Sequence, residues 1–370
     1  MVLRSIFYYI KYISYMNTSN TPTKRLEYID AMRGLTMLLV VYSHIMYFGY
    51  GISDFSEINS FNAFIGLFRM PLFFFVSGFV LYKASQIWNL KDSAIFIAKK
   101  FKVQIIATTI FFILFSLIFN KSIIEGVYSG AKYGYWFTIT LFFFYIIYIS
   151  TKQITKLLKC NNSIIEDCIL IITALIIRLL CSSSVSERIG IPNDIYKLFG
   201  LNNLSLYIFF IFGVIVKRHF NNFLNLTSNK YIISIIISLF LFSGIFLIKN
   251  VTIIPNSIVN FIMIVTGITG IITVFSFFYK YQDSFTKETK VGKVLQYIGK
   301  RTLDIYLLHY FFLPRNLQMV GDWFTENINP TLEFFVSLTL AAMVIALCLV
   351  VSNVIRISPF LANWLFGVKK

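Results

Sequence analysis

The sequence predicts an all-α, polytopic integral membrane protein of about ten transmembrane helices, with amino and carboxyl termini cytoplasmic. Three observations predict it. Hydrophobic residues make up 57% of the 370 and charged residues only 13%, more apolar surface than a soluble core hides. The apolar residues fall in blocks of about 17 to 22, each long enough to cross about 30 Å of hydrocarbon as a helix. Lysine and arginine, finally, gather on alternate sides of those blocks.

Taken in order, the expected spans are residues 30–50, 61–82, 103–119, 134–150, 164–181, 204–216, 231–248, 257–278, 302–320 and 332–355. The sixth is short. The ninth contains Pro314 and Arg315, so its helix stops early or continues as a re-entrant piece. With the amino terminus inside, the segments before 30, 83–102, 151–163, 217–230, 279–301 and after 355 hold 24 of the 33 basic residues. That excess is what the positive-inside rule describes, so the net charge of +17 reports orientation and anionic headgroups. No nucleic-acid motif accompanies it, and the bilayer is the partner the charge implies.

Residues 1–24 read as a cytoplasmic amino-terminal segment, either an amphipathic surface helix or a stretch ahead of an internal start at Met16. Lys11 interrupts their aromatic run and no small-residue cleavage site follows, which argues against a signal peptide. Residues 25–370 read as one membrane domain. Cys160, Cys168, Cys181 and Cys348 have no metal-ligand spacing and are expected to be inert packing residues; no metal site is expected.

Ionisable groups are costly inside a bilayer and mark function by default. The short list is Asp30, Arg33 and His44 on the first span, Arg69 on the second, Arg178 on the fifth, and Asp304 and His309 on the ninth. Rotations of 100° per residue place Asp30, Arg33, Met37, Val41 and His44 on one stripe, within roughly 60° of one direction. The second span runs the opposite way, which brings Arg69 to the depth of His44, where a guanidinium needs a partner or a wet cavity. Pro71, Ser77 and Gly78 read as architecture: a freed backbone carbonyl and a site of close helix contact. His219, in the run KRH, reads as surface charge.

These residues also resemble a family. The first span is similar to the opening signature of the membrane-bound acyltransferases called acyltransferase family three, with Asp30, Arg33, Gly34 and a hydrophobic run ending in His44. The second resembles its Arg-x-Pro-Leu-Phe-Phe-x-x-Ser-Gly-Phe signature through Arg69, Pro71, Leu72, Phe73, Phe74, Ser77, Gly78 and Phe79. Weaker likenesses follow in order: Trp136 and Phe137, then Phe210 and Gly213, then Tyr306 and His309. The resemblance implies transfer of an acyl group, mostly acetyl from acetyl-CoA, to a hydroxyl of a cell-surface or lipid-linked carbohydrate in the cytoplasmic membrane, with no permanently bound cofactor. It departs from the pattern in one loop. Where the family commonly has Arg-x-x-Arg, this chain has AKKFKVQ, so Lys99, Lys100 and Lys102 supply charge without bidentate geometry.

Acyl transfer to a hydroxyl needs a base, an oxyanion stabiliser and cations for the donor phosphates. His44 is assigned as base, with Arg69 steadying the oxyanion or the sugar and Asp30 completing the catalytic set. Arg33, Lys99, Lys100 and Lys102 are assigned to the acyl-CoA, and Trp136, Tyr306 and His309 to the acceptor, the histidine equally readable as a packing residue. Two rivals stand beside this reading. A transporter or flippase predicts inverted repeats, which are not seen, and a carboxylate buried deep in a span, whereas Asp30 and Asp304 lie near span ends. An inactive scaffold is compatible with the same residues.

Overall fold

A computed structural model describes residues 26–52, 61–86, 88–160, 162–250 and 253–368. The segment expected at 1–24 lies outside the described residues. Every regular element among them is helical. Among the described residues, eight helices are long and apolar enough to cross a membrane: α1 Glu27–Gly49, α2 Phe61–Leu81, α3 Leu90–Ile118, α4 Trp136–Leu157, α6 Leu201–Arg218, α7 Lys230–Asn250, α8 Asn256–Lys280 and α11 Pro330–Ile355. The chain is a multi-pass membrane protein.

The fifth and ninth expected spans are helical but do not meet that measure of length and apolarity. α5, Ser163–Leu180, has the length but carries Glu166, Asp167 and Arg178. α10, Thr302–Phe312, is only 11 residues long and ends before Pro314. It is preceded by the amphipathic α9, Lys290–Lys300, and α12, Pro359–Phe366, closes the described chain.

Small residues set the closest helix contacts, as expected where apolar burial alone cannot hold helices together in lipid. α1 lies along α9 so tightly that a Cβ on Gly34 would stand 2.0 Å from the Leu295 carbonyl oxygen, and one on Gly299 1.8 Å from that of Asp30. α2 and α6 meet in the same way, Gly78 against Phe210 and Gly213 against Phe75, each 2.0 Å from the opposing carbonyl oxygen. These two crossings seat the Asp-Arg-Gly and Ser-Gly-Phe signatures directly against the backbones of α9 and α6. On the periphery, α7 turns Tyr231, Ile235 and Phe242 outward, as a lipid-facing helix does.

Polar side chains at the helix ends fix the frame. Arg356 reaches Asp304 with Nε at 2.8 Å and Nη2 at 3.0 Å, joining α11 to α10. Arg178 donates to the carbonyls of Ser205 at 3.1 Å and Asn260 at 3.0 Å, so it ties three helices and lines neither cavity of the site below. His219 is not simple surface charge: its Nε2 lies 2.6 Å from Asp167 Oδ2, on a carboxylate shared with Arg218. Glu166 beside it pairs with Lys152 and Arg218, which explains the charges in α5. Cys181 and Cys348 are buried as packing residues are, whereas Cys168 is exposed and Cys160 half-buried.

Candidate active site

His44 is the last α-helical residue of α1 before the chain widens into a π-turn, Ile45–Gly49. Such turns are rare and concentrate at functional positions. α10 packs beside it and brings His309, 265 positions later, within 2.8 Å: His44 Nδ1 faces His309 Nε2. The rings are nearly parallel, 6° apart. On the other side of His309, Nδ1 lies 3.0 Å from the Ile305 carbonyl oxygen.

That chain settles the protons. A carbonyl can only accept, so His309 Nδ1 carries the hydrogen and its Nε2 presents a lone pair. His44 Nδ1 must then donate to it, and His44 Nε2 is left bare. A neutral imidazole with one nitrogen tied down and the other open is a positioned proton acceptor.

Arg69 faces the same space. α2 breaks between Gly66 and Arg69, so Arg69 opens the second helical piece with Pro71 in its first turn. Its guanidinium makes no hydrogen bond or ion pair with any of the described residues, and it lines a cavity of about 60 Å³ with Val40, His44, Met70, Trp136 and Tyr310. A cation without an anion here is suited to charge that develops during reaction. Gly134 closes the rim, its backbone at φ +101° and its carbonyl accepting from the hydroxyls of Tyr306 and Tyr310, each at 2.9 Å.

A second cavity, about 590 Å³, opens at the other end of the stripe, with Arg33, Lys83, Lys99, Lys100 and Thr302 among its lining. Arg33 Nη2 holds the Thr302 hydroxyl at 2.9 Å, and its Nη1 lies 3.9 Å from Asp30 Oδ1. The two cavities share Phe73, Phe137 and Tyr306 as a common wall. From Arg33 to His44 is 11 residues, about 16 Å of helix rise.

Of the expected residues, His44, Arg69, Trp136, Tyr306 and His309 come together around the small cavity, and Arg33, Lys99 and Lys100 around the large one. Asp30 is buried beside Arg33 and touches neither. Lys102 points away, to Asn363 Oδ1 at 2.5 Å and over the Trp364 ring of α12. Sequence reading missed Tyr310, next in line after His309 and packed against it, the ring centroids 3.9 Å apart and the planes tilted by 42°. It also missed Glu333, buried in the first turn of α11 and 3.4 Å from the Tyr42 hydroxyl. The signal for Glu333 was the one applied elsewhere, a carboxylate inside an apolar stretch.

A helical membrane protein with a histidine pair, an arginine that has no partner among the described residues and a basic antechamber is suited to handling a polar group within the bilayer. A family model described as an acyltransferase domain matches residues 26–352. The chain belongs to acyltransferase family 3 and is a membrane acyltransferase. No curated protein and no solved structure matches it.

Proposed function

We propose that the protein moves an acyl group, acetyl in the first instance, from acyl-CoA to a hydroxyl of a cell-surface or lipid-linked carbohydrate. It does so in the cytoplasmic membrane, both chain ends facing the cytoplasm where CoA thioesters are made. The observation that carries this reading is the pair of cavities that share a wall: cations for phosphates in one, a bare imidazole nitrogen and a guanidinium with no partner among the described residues in the other.

In this mechanism Arg33, Lys99 and Lys100 hold the CoA phosphates, and the pantetheine arm passes the wall of Phe73, Phe137 and Tyr306. The acceptor hydroxyl meets the thioester beside His44. His44 Nε2 takes the hydroxyl proton as the oxygen attacks the thioester carbonyl, while His309, held by Ile305, keeps the ring in position. Arg69 stabilises the oxyanion of the tetrahedral intermediate, and Trp136 offers the sugar an apolar face. The carbon–sulfur bond then breaks and His44 returns the proton to the departing CoA thiolate. Asp30 steadies Arg33 and has no contact with the reacting groups.

Purified protein incubated with labelled acetyl-CoA is expected to release CoA and transfer label to added carbohydrate acceptors, and the His44→Ala variant to do neither. Transport of an unmodified glycan with no consumption of acetyl-CoA would favour the flippase reading instead.

A further inference from the structure

A third cavity, about 470 Å³ and within the size range of small-molecule sites, lies between α3, α4 and two short helices, Ile123–Tyr128 and Asn193–Phe199. Ile105, Phe112, Ile113, Ile139 and Phe142 make it overwhelmingly apolar. Its lip residues Phe101, Ile113, Ile123 and Phe199 are exposed, so in a bilayer it opens on hydrocarbon. Along α4 it runs from Tyr135 to Phe143, about 12 Å by helix rise.

One cation interrupts this surface. Lys132 is only 6% exposed, yet no carboxylate among the described residues pairs with it. Its Nζ donates to the Val127 carbonyl at 2.7 Å and the Lys197 carbonyl at 3.3 Å, which leaves the third of its three N–H groups for a ligand in the cavity. Burial alone pulls the ammonium below the usual lysine value, a cost that an anion would offset. The backbone here is left-handed at two residues that are not glycine, φ 48° at Lys132 and 51° at Tyr133, followed by Gly134 at 101°. Strain of this kind persists only where the surroundings enforce it. That turn sets Lys132 in the groove and the Gly134 carbonyl at the rim of the His44 cavity, two residues apart.

We propose that this groove seats the hydrocarbon chain of a phosphate-headed lipid that carries the acceptor hydroxyl, its phosphate on Lys132 and its polar head delivered past Gly134 to His44. The assignment rests on the acyl-transfer reading of the histidine site. The apolar walls account for the chain, the lone ammonium for the phosphate, and the turn for the route from one to the other. An ordinary phospholipid would satisfy the walls and the charge but has no reason to end at the catalytic rim.

The probe is farnesyl phosphate, with farnesol and phosphatidylglycerol as comparisons, and binding is read by native mass spectrometry of the detergent-solubilised protein. Farnesyl phosphate is expected to bind at least tenfold tighter than either comparison. Ile139→Trp, which fills the groove, should remove that binding while leaving acetyl-CoA hydrolysis in the absence of acceptor unchanged. Lys132→Gln should erase the preference over farnesol, and Lys132→Arg should restore it, which separates phosphate recognition from the tie between the two short helices. Equal binding of farnesyl phosphate and phosphatidylglycerol, or retention of farnesyl phosphate by Ile139→Trp, would overturn the proposal. Loss of acetyl-CoA hydrolysis from the unaltered protein would instead sink the acyl-transfer reading, and the binding series would still report on the groove.

Discussion

The two adjoining cavities are built on opposite principles. The large one is broad, basic and lined by long flexible side chains, of which Lys99 and Lys100 stand on the first helical piece of α3 before its π-turn. The small one is narrow and walled by aromatic rings, and hydrogen bonds tie His44 on α1 to His309 on α10 and tie Tyr306 and Tyr310 of α10 to the Gly134 carbonyl. Mobile lysines suit a donor held by diffuse phosphate charge. A locked histidine suits a step in which an ångström matters. Binding and chemistry are thus separated along one helix, and substitutions at its two ends should fail differently.

The largest effect is expected at the narrow end. His44→Ala should lower transfer by about 10²–10⁴-fold without loss of folding, since only the proton acceptor is removed and alanine is cheap to bury. Activity above a tenth of the original would reject His44 as the base. Arg69→Gln should follow, with about 10²–10³-fold lost from kcat and little change in KM for the donor. His309→Ala should cost less than His44→Ala, and His309→Gln, which keeps an acceptor for His44 Nδ1, should recover part of the loss. Identical rates for the two variants would mean that the ring only fills space.

At the broad end the expectation is modest and lies in KM. Lys99→Gln and Lys100→Gln should each weaken donor affinity roughly fivefold or less, more at low salt, because exposed charges are screened. Lys102→Gln should change neither constant, since its ammonium is committed to Asn363 and Trp364. A donor defect in Lys102→Gln equal to that of its neighbours would erase the distinction among the three lysines.

How much of this was legible differs between the same two regions. Hydropathy located all eight long apolar helices, because blocks of that length have one stable home. Helix periodicity put Arg33 and His44 on one stripe, and both line cavities that meet. The contact glycine expected at Gly78 is present, with Gly213 as its counterpart. What sequence periodicity does not carry is pairing between helices far apart in the chain. Hence His309 stood undecided until α10 was seen against α1, and Lys102 was grouped with its neighbours although a π-turn begins at Phe101 and rotates it towards α12. The fifth and ninth blocks are apolar enough to read as spans, but apolarity does not carry what sets their helices apart. Glu166 and Asp167 in one are paired by Arg218 at the end of α6, and the proline after the other ends its helix.

We propose that donor and acceptor enter from opposite faces, the donor at the Arg33 end of the stripe and the acceptor at the Arg69 end, and meet at His44. Lys99→Cys, in the large cavity, and Met70→Cys, in the small one, test it most directly in a background with Cys160 and Cys168 replaced by serine. Labelling with a membrane-impermeant maleimide in sealed vesicles of known orientation is expected to reach Lys99→Cys only from the cytoplasmic face and Met70→Cys only from the other. Labelling of both positions from the cytoplasmic face alone would contradict the account, because the acceptor would then have to be modified before it crosses the membrane.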